Sequence, residues 1–239
     1  LLHKLSYYGA GTIDFNGSLF SPAPKTLFDE MIEASNAIVH KVDSGGNLPL
    51  HLAAESGNTD MISRLCISFP GGASVRNEEG LLPLHLAILS CANPSVQNPL
   101  AAVTEILRIF PLALVIADNN GNLPIHVAAA HLHGEIGAQI VHILVDEAEK
   151  QGGNLRISSR RTLMNDFDMN DVTSNEDDFN DPNESILFAR NGLGWNPLVT
   201  AIHRSAGWQV LDAFLSREGI ENFISERDNS GKTILQLEI

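Results

Sequence analysis

Residues 43–58 read DSGGNLPLHLAAESGN, and nearly the same phrase returns as EEGLLPLHLAI at 78–88 and as NNGNLPIHVAA at 119–129. A catalytic motif is written once per domain, whereas a phrase repeated at intervals marks a structural unit stacked on copies of itself. Aligned on the glycine that opens each phrase, the anchors are Gly46, Gly80, Gly121, Gly194 and Gly231, at successive spacings of 34, 41, 73 and 37 residues. The underlying period is about 33 or 34 residues. The last two copies, GWNPLVTAI at 194–202 and GKTILQLEI at 231–239, are degenerate.

Each position of the phrase has a physical task. The glycine, with Asp43, Asn119, Asn120 or Ser230 ahead of it, supplies the positive φ of a tight turn. Pro49, Pro83, Pro124 and Pro197 follow three residues later, where a fixed φ and a missing N–H suit the first turn of a helix. Leu50, Leu84, Ile125 and Leu198 then point to a core, and Ala53, Ala54, Ala87, Ala128, Ala129 and Ala201 allow another helix to approach closely. A second helix is expected some ten residues on, from apolar residues at helical spacing: Met61, Ile62, Leu65 and Cys66; Val103, Ile106, Leu107 and Phe110; Ile140, Val141, Leu144 and Val145. Pro70 and Pro111 stop two of these helices. A turn with two antiparallel helices cannot bury its own apolar face, so neighbouring copies must cover it.

The wording G-x-x-P-L-H-x-A-A resembles the ankyrin repeat, strongly over residues 43–150 and weakly over 190–239. The resemblance implies an all-α ankyrin-repeat solenoid of turns plus antiparallel helix pairs, with short or absent β content. It also implies that His51, His85 and His126 are hydrogen-bonding struts between neighbouring repeats. Lys25–Lys41 resembles the second helix of an incomplete earlier copy, with Leu27, Phe28, Met31 and Ile32 as its apolar face. The family's capping Thr is Leu at 48, 82 and 123. A lost polar cap costs about 0.5 to 2 kcal/mol per helix, some of which buried leucine can recover. Asn196 and Thr233 keep a cap, but Val199 and Gln236 replace the histidine there.

The period breaks twice. ANPSVQNP at 92–99 reads as an enlarged surface loop, and residues 151–189 read as an acidic, largely disordered insertion rather than a decayed repeat. The domain reading is therefore an N-terminal extension at 1–24, repeats at 25–150, the insertion, and degenerate repeats at 190–239 with the last one truncated. Within the insertion, Asp166, Asp168, Asn170, Ser174 and Asp177 stand at calcium-loop positions. Asp171 replaces the loop glycine, Asp177 replaces the bidentate Glu, and no helix pair flanks them, so a solvated acidic tract is preferred. His131, His133 and His142 lack the Cys or carboxylate partners of a zinc site. ERDNSGKT at 226–233 fails as a phosphate loop because Glu226 stands where glycine is required. No nucleophile lies beside an evident base. The expectation is no enzyme, no cofactor and no metal.

Of the 239 residues, 29 are acidic and 15 basic, for a formal charge of −14. That balance argues against nucleic acid and anionic lipid, which need clustered Lys and Arg, and favours a protein partner with a basic or apolar patch. No apolar run of about 18 residues is present, so membrane insertion is not expected. Cys66 and Cys91 lie among apolar neighbours, as reduced buried thiols do, which favours an intracellular location, cytoplasmic or nuclear.

The function expected is a non-catalytic protein-interaction scaffold that binds on the concave face of the array. The alternative is the recognition domain of a larger signalling enzyme, a kinase or a ubiquitin ligase, whose catalytic domain lies outside these residues. Carrying over the family's contact positions gives Ser44, Gly45, Asn47, Glu55 and Ser56, then Glu78, Glu79, Leu81, Leu89 and Ser90, then Asn119, Asn120, Asn122, Ala130 and His131. The degenerate copies add Gly192, Leu193, Trp195, His203, Arg204, Asn229, Ser230 and Lys232. Trp195 is either a binding anchor at a turn tip or a side chain packed on the insertion.

Overall fold

The computed structural model describes residues 38–96, 98–151, 185–216, 231 and 233. Among them are eight α-helices, two 3-10 turns and no strand. Helices α1 (Pro49–Glu55) and α2 (Thr59–Ser68) form the first pair, and α3 (Pro83–Ser90) and α4 (Pro99–Ile109) the second. The third is α5 (Pro124–His131) with α6 (Gly134–Gln151), and the fourth α7 (Pro197–His203) with α8 (Trp208–Leu215). The first helices pack in the order α1, α3, α5, α7 and the second helices in the order α2, α4, α6, α8, so the molecule is a two-layer row of hairpins.

Every first helix begins on its proline, as the sequence implies. All five anchor glycines have positive φ, between 74° and 79°, including Gly231 of the degenerate last copy. Pro70 and Pro111 do end α2 and α4, and each opens a 3-10 turn, Pro70–Ser74 and Pro111–Val115. These turns bury Ala73 and Ala113 and lead the chain out to the next turn tip.

The core runs unbroken through the row. Leu50, Leu84, Ile125 and Leu198 are at most 3% exposed, and the alanines of the first helices are buried between neighbouring copies. On the second layer Ile62, Val103, Ile106, Ile140, Leu144, Val210 and Phe214 are fully enclosed. Because each hairpin leaves an apolar face for the next, cohesion is a sum of neighbour interfaces rather than one central core. Leu48, Leu82 and Leu123, at the helix caps, make no side-chain cap bond but are at most 5% exposed, so burial stands in for the missing hydroxyl. Asn196 keeps the polar cap: its Oδ1 accepts the Val199 N–H at 2.8 Å.

Cys66 and Cys91 are buried free thiols, and burial raises both to a pKa of about 11. The calcium reading of 166–177, the phosphate-loop reading of 226–233 and the partial copy at 25–41 lie outside the described residues, apart from 38–41, Gly231 and Thr233.

Candidate functional site

The turn tips are built by a residue that the repeated phrase does not advertise. Three places before each of the first four anchor glycines stands an Asp or Asn, namely Asp43, Asn77, Asp118 and Asn191. Its Oδ1 accepts two backbone N–H groups ahead of it: Gly45 and Asn47 from Asp43, and Glu79 and Leu81 from Asn77. Asp118 takes those of Asn120 and Asn122, and Asn191 those of Leu193 and Trp195. Each tip is thus locked from inside by one side chain.

The tips are also bonded to one another. The Glu78 N–H donates to the Gly45 carbonyl at 3.0 Å, Asn119 N–H to Glu79 at 3.2 Å, and Gly192 N–H to Asn120 at 2.9 Å. Where the lock is Asn, its amide reaches the preceding tip: Asn77 Nδ2 donates to Asn47 Oδ1 at 2.8 Å and Asn191 Nδ2 to Asn122 Oδ1 at 3.0 Å. Where the lock is Asp, its second oxygen accepts within its own tip, from Asn47 Nδ2 at 3.2 Å and from Asn122 Nδ2 at 3.0 Å. Between the second and third tips Arg76 takes over, donating to the Gly80 carbonyl and to Asn119 Oδ1.

Beneath the tips run the histidine struts. Nδ1 of His51, His85 and His126 accepts the N–H of Leu48, Leu82 and Leu123 at 3.1, 3.1 and 3.2 Å. An accepting Nδ1 places the proton on Nε2, which donates across to the next repeat. The acceptors are the Leu81 carbonyl at 3.1 Å, the Asn122 carbonyl at 3.2 Å, and for His126 both the Ala189 and Trp195 carbonyls, at 3.1 and 3.0 Å. Burial is the main reason that all three pKa values fall, to about 4 for His85 and His126. These side chains are neutral and structural, and among the described residues no buried side-chain polar atom is left unpaired.

The tips and the exposed sides of α5 and α7 enclose a concavity of about 770 Å³. Eleven of the residues expected at the binding surface line it: Leu81, Leu89, Asn119, Asn120, Asn122, Ala130, His131, Gly192, Leu193, Trp195 and Arg204. Asp118, Val127, Asn191 and Thr200 line it too, and the sequence reading did not name them. Asp118 and Asn191 are the turn locks, recognisable in retrospect by their fixed distance from the glycine. Leu193 is 58% exposed, and the Trp195 indole stacks on the His203 imidazole at 4.1 Å with only 6° between the planes. Trp195 therefore packs on its own repeat while still facing the concavity.

The remaining expected residues fall elsewhere. Ser44, Glu55, Glu78 and Glu79 are exposed and Asn47 is half-buried, all on the first two repeats and outside this concavity. Ser90 is 4% exposed and its hydroxyl donates back to the Ala87 carbonyl at 2.8 Å, so it is not available to a partner. Asn229 and Lys232 lie outside the described residues. His131 is held below the usual imidazole range first by partial burial, then by the charges of Arg204 and His133. No group of three or more His, Cys, Asp or Glu side chains with a metal-binding arrangement occurs among the described residues.

A row of helix hairpins with interlocked turn tips defines a helical repeat array. Residues 31–87 match a family model described as ankyrin repeats (many copies), in keeping with the ankyrin-like repeats read from the sequence. Ankyrin repeats generally mediate protein–protein interaction, and the family is typically non-catalytic. Comparison with curated proteins finds no match. No helix among the described residues is long and apolar enough to cross a membrane.

Proposed function

We propose that this protein is a non-catalytic scaffold or adaptor, working inside the cell, that holds a polypeptide in the groove formed by its third and fourth repeats. The observation that carries the reading is the concavity itself, in which residues far apart in sequence, from Leu81 to Arg204, line one surface. Its walls are fixed before binding by the locked tips and histidine struts, so a partner meets a pre-formed surface and little ordering entropy is lost on the protein's side. The lining mixes apolar side chains, such as Leu81, Leu193 and Trp195, with amides able to bond an extended backbone, which is the usual composition of a peptide-binding surface.

Residues 25–150 form the body of the array on this reading, 190–239 its degenerate continuation, and 151–189 an insertion between them. The four exposed residues on the first two tips and on α1 (Ser44, Glu55, Glu78 and Glu79) extend the contact surface beyond the concavity for a long partner. Affinity capture from the native source tests the proposal. Leu193→Asp should abolish capture that Ile67→Asp, on the second-helix layer, leaves intact; equal capture by both variants would contradict a groove-borne contact.

A further inference from the structure

The groove presents one exposed cation in a chain that is strongly acidic. Asp118 is the one carboxylate in its lining, and both its oxygens are taken up by N–H groups of Asn120 and Asn122. Arg204, just past α7, is exposed, and among the described residues its guanidinium has no hydrogen-bond or ion-pair partner. His131 lies within electrostatic reach of it, and His203 is stacked on Trp195 one residue away in sequence. Arg204 is the one Lys or Arg among the described residues that line the concavity. The first two repeats present Glu55, Glu78 and Glu79, all exposed, with a formal charge of −14 over the full chain.

We infer that the groove takes an extended peptide segment bearing an Asp or Glu side chain, whose carboxylate seats on Arg204 while neighbouring apolar residues lie against Leu81, Leu89 and Leu193. The inference rests on the groove reading above. A guanidinium in a partly desolvated concavity gains most from a planar carboxylate, which accepts a forked pair of charge-assisted bonds. A partner basic along its whole length would set its cations against Arg204. The acidic face of the first two repeats adds register: an acid displaced toward Glu78 and Glu79 is repelled, which favours its seat on Arg204.

The purified chain, immobilised, is used to select a random-peptide phage library. Enriched peptides are expected to carry Asp or Glu, to lose at least about tenfold in affinity against Arg204→Glu, and to bind a Glu78→Ala/Glu79→Ala variant as well as or better than wild type. Peptides that lack an acid, or that ignore Arg204→Glu yet fail on Leu193→Ser, overturn the acidic-partner inference and leave the groove reading standing. No enrichment, or peptides indifferent to both substitutions, overturns both. Both positions are exposed, and thermal melts by circular dichroism confirm that each variant is folded; should Arg204→Glu melt early, Arg204→Gln takes its place with the same criteria.

Discussion

Replacing His126 by alanine tests the joint between the third and fourth repeats. His126 is fully buried and joins three backbone groups: it accepts the Leu123 N–H and donates to the carbonyls of Ala189 and Trp195, which lie 63 and 69 residues away in sequence. Alanine leaves the Leu123 N–H without an acceptor, a loss of about 1 to 3 kcal/mol, and removes the imidazole donor from the Ala189 carbonyl, whereas the Trp195 carbonyl keeps the Asn191 N–H. The vacated imidazole volume adds a cavity cost, for a total of about 3 to 5 kcal/mol. Both tryptophans of the chain, Trp195 and Trp208, sit in the fourth repeat, whereas helical circular dichroism reports every hairpin. Urea titration of His126→Ala followed by both signals should therefore show the fluorescence midpoint falling further than the dichroism midpoint, because a one-dimensional array loses cohesion first at its weakened interface. A variant whose two midpoints coincide, close to those of wild type, would refute the idea that this histidine ties the fourth repeat to the third.

Other outcomes follow from the same geometry. Because burial holds His85 and His126 near a pKa of about 4, against about 6.5 when unfolded, the unfolded chain binds more protons between those values. Stability should be fully present above pH ~6.5 and fall by roughly 3 kcal/mol per histidine as pH drops toward 4, read from urea midpoints across that range. Gly80→Ala, at φ 77°, would press a Cβ onto Arg76, onto the Asn119 side chain and onto the Asn119 backbone N at 2.7 Å. It should cost more than about 2 kcal/mol, whereas Gly134→Ala, at φ 63° with open space around it, should cost about 1 kcal/mol. Asn191→Ala removes the acceptor of two turn N–H groups and the donor to Asn122, and should lower the fluorescence midpoint by about 1 to 2 kcal/mol in equivalent stability. Trp195→Ala should cost about 1 kcal/mol, the value of its stacking on His203, yet weaken capture of the partner strongly; a large loss of stability instead would mark the ring as a structural support.

The parts legible in the sequence are those written as spacing. Glycines with positive φ, prolines that open helices and apolar residues at helical intervals each impose a pattern on the string, and the structure places them as that pattern implies. The turn locks were harder to see. Asp43, Asn77, Asp118 and Asn191 act through side-chain bonds to backbone groups two and four residues ahead, which leave no hydrophobic period. Asn119 and Asn120, next to the glycine, drew the eye instead, and both are exposed at the tip. The concavity could not be drawn from sequence either, because Leu81, Asn120 and Arg204 share it only once three repeats are stacked. Net charge likewise averages over the chain and hides the exposed Arg204 in the groove.

The account stands or falls on which face of the row meets another polypeptide. A photo-activatable benzoylphenylalanine placed in turn at Leu81, Leu193, Ile67 and Leu112 would be crosslinked in native extract and the adducts resolved by mass spectrometry. The first two positions, in the groove, should yield one shared protein adduct, and the other two, 81% and 48% exposed outside the groove, should not. An adduct formed at Ile67 and Leu112 while the groove positions stay unlabelled would contradict the account.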